Sequence, residues 1–137
     1  MKRTGLIFMA LVVFSGCAGQ RLEMIDAKLN PADLAPGDKT IISVRVIDTQ
    51  SVVAAVTATV REYSSVSVDL NDKGERGDKV SGDGVWSIAF DVPYEAPYGE
   101  YYWDFEAFDE NGDPVKITTE QGEEKPLAAE ALVEVVY

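Results

Sequence analysis

Apolar residues recur at every second position through most of this chain, the pattern of strands buried on one face. Lys39–Asp48 places Ile42, Val44 and Val46 on one side, with Ser43 and Arg45 on the other. Val52–Arg61 turns Val56, Ala58 and Val60 inward and Thr57 and Thr59 outward. Val85–Val92 carries Trp86, Ile88, Phe90 and Val92 on one face and Ser87, Ala89 and Asp91 on the other. Glu100–Phe108 does the same with Trp103, Phe105 and Ala107 against Tyr102, Asp104 and Glu106. Met24–Leu29, halted by Asn30-Pro31, reads as a first strand and Ser65–Leu70 as a short edge strand. In Ala131–Tyr137, Val133, Val135 and Tyr137 share a side. Before that strand, Pro126–Leu132 combines a first-turn proline with strong helix formers, which predicts at most one helical turn. Seven short strands, with turn residues such as Ala35-Pro36-Gly37-Asp38 between them, predict one all-β antiparallel sandwich over residues 24–137.

The first residues belong to a different argument. Lys2 and Arg3 precede an uninterrupted apolar run, Gly5–Phe14, and then Ser15-Gly16-Cys17, which holds the only cysteine of the chain. Ten apolar residues are too few to span a bilayer, which takes about 20, so 1–16 reads as a cleaved leader. The segment resembles the lipobox of bacterial lipoproteins, with Phe14 where a branched aliphatic residue is usual. The resemblance implies cleavage before Cys17 and its acylation, palmitate included, with 17–23 left as a lipidated tether. Each buried CH₂ contributes about 0.8 kcal/mol and a single chain holds only marginally, so two or three chains make a lasting anchor. Ala18 rather than Asp after the cysteine implies, by the same resemblance, the outer membrane of a bacterial envelope.

Charge and composition exclude whole classes of function. There are 24 Asp+Glu against 12 Lys+Arg, a net charge of −12, which would become −14 once Lys2 and Arg3 leave with the leader. Such a body does not bind nucleic acid, which needs a basic face, and is repelled by anionic lipid. With no histidine, and Cys17 taken by the anchor, Ser-His-Asp and Cys-His arrangements cannot be assembled. Asp104 and Glu106 lie two apart on one strand face, a spacing of roughly 7 Å that falls within reach of glycoside hydrolysis. Outward acids on a strand also keep a sheet soluble, and with 24 acids such pairs arise by chance. The expectation is a chain that is not an enzyme and has no obligate cofactor.

Three runs also resemble a known family. They are ISVRVIDTQSVVAAVTATV, VDLNDKGERGDKVSGDGVWSIAFDVP and GEYYWDFEAFDENGD. Gly77-Asp78, Gly82-Asp83-Gly84 and Trp86, then Ala107, Asp109 and Gly112, look like the turn and core positions of bacterial immunoglobulin-like or fibronectin-III-like modules. Over residues 39–114 the resemblance implies an Ig-like sandwich and a non-catalytic adhesive, binding or structural role at the cell surface. Two site hypotheses accompany it. Tyr94, Tyr98 and Tyr102, near the Pro93–Gly99 loop, could display rings for a sugar, the alternative being a carbohydrate-binding module; a third reading is a subunit of an envelope complex. The plainer reading of this stretch is preferred: Pro93, Pro97 and Gly99 shape a crossover, its tyrosines cap the sandwich end with hydroxyls in water, and a tyrosine near the start of the next strand is the place for a tyrosine corner. Asp69–Gly84 is rich in oxygen ligands, with Asp72, Asp78 and Asp83 the candidate calcium set. Val80 at the twelfth loop position excludes an EF-hand, and the glycines as turn residues, with Lys73, Arg76 and Lys79 neutralising part of the charge, favour a plain turn over a calcium site.

Overall fold

In the computed structural model the described residues are 21–73 and 82–136, so the leader, Cys17, Asp78 and Tyr137 lie outside them. The described residues are all-β, in ten strands. These are β1 (Leu22–Asn30), β2 (Asp33–Leu34), β3 (Lys39–Asp48), β4 (Ala55–Val60) and β5 (Tyr63–Leu70), followed by β6 (Val85–Asp91), β7 (Gly99–Phe108), β8 (Lys116–Thr118), β9 (Glu124–Pro126) and β10 (Ala128–Val135). One sheet has the order β1-β3-β6, a second β2-β10-β7-β4-β5, and β8-β9 is a separate hairpin. All pairings in the first two sheets are antiparallel except β2 on β10.

The alternation places the core where the sequence pattern expects it. Ile42 and Val44 of β3, Val56 and Ala58 of β4 and Phe105 of β7 are completely buried, in one cluster with Trp103, Ala107, Ala131 and Val133. Phe90 meets the Trp103 ring edge-on at 5.1 Å, a favoured aromatic geometry. Trp86, grouped with Trp103 by the sequence pattern, is only half-buried and packs at the margin of the core, because β6 is an edge strand of its sheet.

Several boundaries differ from the sequence reading, among them the start of β5 at Tyr63 and not Ser65. The tether ends sooner, since Leu22 and Glu23 already pair with Asp48 and Ile47. Strand β4 starts at Ala55, not Val52, because the Asp48 carboxylate accepts the Val52 and Val53 N–H groups at 3.0 and 2.8 Å. That capture holds the segment in a turn. The helical turn at Pro126–Leu132 does not form: Ala128 onward pairs residue by residue with β7, beginning at Ala128↔Glu106. A ladder to a buried neighbour outweighs helix propensity worth a few tenths of a kcal/mol per residue, about as much as one weak contact. The β8–β9 hairpin, not foreseen from the sequence, is attached to the core through buried Val115 and Leu127, which bond backbone to backbone at 2.8 Å.

Strand direction sorts the loops into two groups. The chain enters β1 at one end, which the β3–β4, β5–β6 and β7–β10 connections share. The β1–β3, β4–β5 and β6–β7 connections lie at the other end, about 25 Å away by the rise of a nine-residue strand.

Candidate functional site

The end remote from the start of β1 contains an apolar cavity of about 250 Å³. Its floor is core: Trp103 of β7, Val60 of β4 and Val133 of β10. Phe90 and Val92 wall it from β6, and the loop from Pro93 to Pro97 passes over it. The rim is formed by Tyr63, Glu95, Pro97 and Tyr101, of which Tyr63, Glu95 and Pro97 are exposed.

Local chemistry builds this loop. Pro93 and Pro97 restrict the backbone and withhold two N–H groups from any ladder. The loop is then tied at both margins. Val92 N–H donates to the Asp38 carbonyl and Gly37 N–H to the Val92 carbonyl, each at 2.8 Å, joining it to the turn before β3. Gly37 has φ +90, and the Tyr94 ring lies where a β-carbon on it would be, 2.6 Å from that position. At the far margin the Tyr101 hydroxyl donates to the Pro97 carbonyl at 2.7 Å. Tyr63 and Tyr101 sit with ring centroids 5.8 Å apart. Partial burial pushes the Tyr101 phenol above its ordinary value, with Tyr63 and the Glu62 carboxylate adding to the rise.

The three tyrosines singled out from the sequence do not line the cavity. Tyr94 is 83% exposed and covers Gly37, while Tyr98 is half exposed. Tyr102 faces outward from the five-stranded sheet, its ring 4.7 Å below the Arg61 guanidinium. Arg61 donates to Asp104 at 3.0 Å and to Glu130 at 2.8 Å, and these two acids raise its pKa further. Asp104, considered with Glu106 as an acid pair, is thus held in an ion pair with Arg61. Of the tyrosines at the rim, Tyr101 occupies the strand-start position that the sequence marks for a tyrosine corner, while Tyr63 has no such signal. Pro93 and Pro97 signal a shaped crossover loop, but nothing local in the sequence marks the cavity beneath it.

The proposed calcium loop can be followed in part. Asp72 accepts the Gly82 and Gly84 N–H groups, both at 3.1 Å, and Asp83 accepts the Val85 N–H at 2.9 Å. Asn71 is buried, donates its amide to the Ser87 carbonyl at 3.0 Å and forms a β-bridge to the same residue. These are contacts that close a turn. Among the described residues no three acids gather around one point, and Asp78 lies outside them.

In comparisons with known proteins, no family model matches the chain and no curated protein matches it.

Proposed function

We propose that this chain is a lipid-anchored cell-envelope protein whose body is a non-catalytic Ig-like sandwich, holding a partner at the end opposite its anchor. The sheet order carries the Ig-like reading. Lettered in chain order, with β2 as an appendage of A, the strands β1, β3 and β6 correspond to A, B and E. Strands β10, β7, β4 and β5 correspond to G, F, C and C′, the division of strands characteristic of that architecture. Tyr101, near the start of the F-like strand and bonded to the backbone four residues upstream, is placed as a tyrosine corner is.

The anchor reading rests on the Lys2-Arg3, Gly5–Phe14 and Cys17 series. Strand β1 begins at Leu22, five residues after Cys17, so an acylated Cys17 would leave the cavity at the end of the body remote from the bilayer. The outer membrane remains the proposed location, on the strength of Ala18. Tyr94 rests on the Gly37 turn and Tyr102 under Arg61, two separate supports, which favours a protein partner over a sugar stacked on one tyrosine platform.

Intact mass of the protein from the envelope tests the anchor. The expected species starts at Cys17 and carries two or three acyl chains, and Cys17→Ser abolishes both the acyl mass and partition into detergent. A mature chain that begins elsewhere, or has no acyl mass, overturns it. In-cell crosslinking followed by mass spectrometry tests the binding role, the expected product being a recurrent protein partner.

A further inference from the structure

The cavity and the charge around it together specify what kind of partner the distal end accepts. We infer that the cavity is a socket for one large apolar side chain carried on a basic peptide segment of a partner protein. This deepens the binding role proposed above and rests on it, but not on the lipid anchor.

Size is the first argument. About 250 Å³ falls short of the roughly 300–1,000 Å³ typical of sites that enclose a drug-sized ligand. It does accommodate a single phenylalanine or leucine side chain, the type of buried anchor that dominates interface energetics. The floor is already core, with Trp103 only 3% exposed, so an inserted side chain extends a packed interior.

Charge is the second argument. The loops and strand ends at this end carry Asp33, Glu62, Glu95, Glu100 and Glu134, all exposed. Of the cations at this end, Lys39 is ion-paired to Asp91 at 3.7 Å and Arg61 to Asp104 and Glu130, while Lys28, beside cavity-lining Leu29, is exposed and outnumbered by these acids. Glu95 is on the cavity rim itself, and Glu62 is close enough to raise the Tyr101 phenol. A lysine or arginine flanking the inserted side chain meets these carboxylates and the faces of Tyr63 and Tyr101, which attract cations. A second copy of the chain, with its own net charge of −12, is repelled from the same rim.

Exposure is the third. Tyr63, Tyr94 and Tyr98 are three of the five large apolar side chains left exposed among the described residues, and all three are at this end. Tyrosine-rich loops supply contact area at low conformational cost, because the ring has only two side-chain torsions.

The test uses the full chain in phosphatidylcholine nanodiscs and dye-labelled pentapeptides read by fluorescence anisotropy, with empty nanodiscs as the blank. The peptides are Lys-Lys-X-Lys-Lys, with X as Phe, Leu or Ser, and the charge-reversed Glu-Glu-Phe-Glu-Glu. The Phe and Leu peptides are expected to bind at least tenfold more tightly than the Ser peptide, and the acidic peptide not to saturate. Glu95→Lys, an exposed change that leaves the melting temperature in place, should weaken the Phe peptide at least fivefold. Ala96→Trp, which fills the socket, should erase the preference for Phe over Ser. Equal binding of the Phe and Ser peptides, saturable binding of the acidic one, or no binding overturns the socket. Displacement of the Phe peptide by decyltrimethylammonium at equal concentration reassigns the cavity to small amphiphiles and overturns the peptide assignment. A crosslinked partner mapped to another surface sinks the socket but leaves the envelope-module reading intact. An unacylated Cys17 with normal peptide binding does the reverse.

Discussion

The two ends of the molecule use their acidic residues differently. At the end where the chain enters, carboxylates are structural. Asp48 holds the Val52 and Val53 N–H groups, Asp72 those of Gly82 and Gly84, and Asp109 those of Asn111 and Asp113. Each side chain does for its loop what a ladder partner does for a strand, satisfying backbone donors that would otherwise turn to water. At the cavity end Asp38 holds its own turn through the Ala35 N–H. The β6–β7 loop there is shaped instead by Pro93 and Pro97 and closed by the Tyr101 hydroxyl, while Glu95 stands exposed on the rim. A net charge of −12 is therefore not one property. Part of it builds loops, and part is displayed around an apolar opening.

The largest expected effect comes from the residue beneath that opening. Trp103→Ala should cost about 3–5 kcal/mol, the usual range for deleting a buried large aromatic, measured by urea unfolding. Trp86→Ala should cost clearly less, since that indole is half-buried, and iodide should quench Trp86 before Trp103. Equal losses would mean that the two sheets bury their tryptophans alike and that the cavity floor is no deeper than the sheet margin.

A smaller effect probes the opposite end. Asp48→Ala removes the acceptor of two backbone N–H groups and should destabilise by about 1–3 kcal/mol. Asp48→Asn, which keeps one acceptor oxygen, should recover part of that loss. Hydrogen exchange at Val52 and Val53 should accelerate in both variants. Unchanged exchange would show that the carboxylate does not hold this loop, and the contrast between the ends would lose its clearest member.

The smallest effect belongs to Tyr101. Tyr101→Phe removes the hydrogen bond to the Pro97 carbonyl and should cost about 1 kcal/mol. Its pH dependence has a definite sign. The folded phenol titrates above its ordinary value of 10.0, so its contribution is complete below that pH and is lost as pH climbs through the folded value. Thermal melts should show wild type above Tyr101→Phe at pH 7, with the gap closing above about pH 10. A gap that persists at higher pH would mean the hydroxyl is not what closes the loop over the cavity.

The sequence alone determined the all-β class, the membership of the core and much of each strand. Those depend on period-two alternation, and any sheet that buries one face must bury Ile42, Val44, Val56 and Phe105 together. The Ala35–Asp38 turn was legible for a similar reason, as its residues carry the turn in their own side chains and backbone preferences. What remained hidden was decided between segments far apart in the chain. Ala128–Ala131 became strand because β7 supplied a complete ladder, which local propensity cannot register. Trp86 and Trp103 have the same alternation and differ in burial because one is on a sheet edge and the other is interior to its sheet. Tyr63 and Tyr101, 38 positions apart in the sequence, meet only when β4, β5 and β7 align, so the cavity rim has no local signature. Periodicity reports which face a residue occupies. Which residues share an opening depends on how separate strands are brought together, and only the tertiary structure decides that.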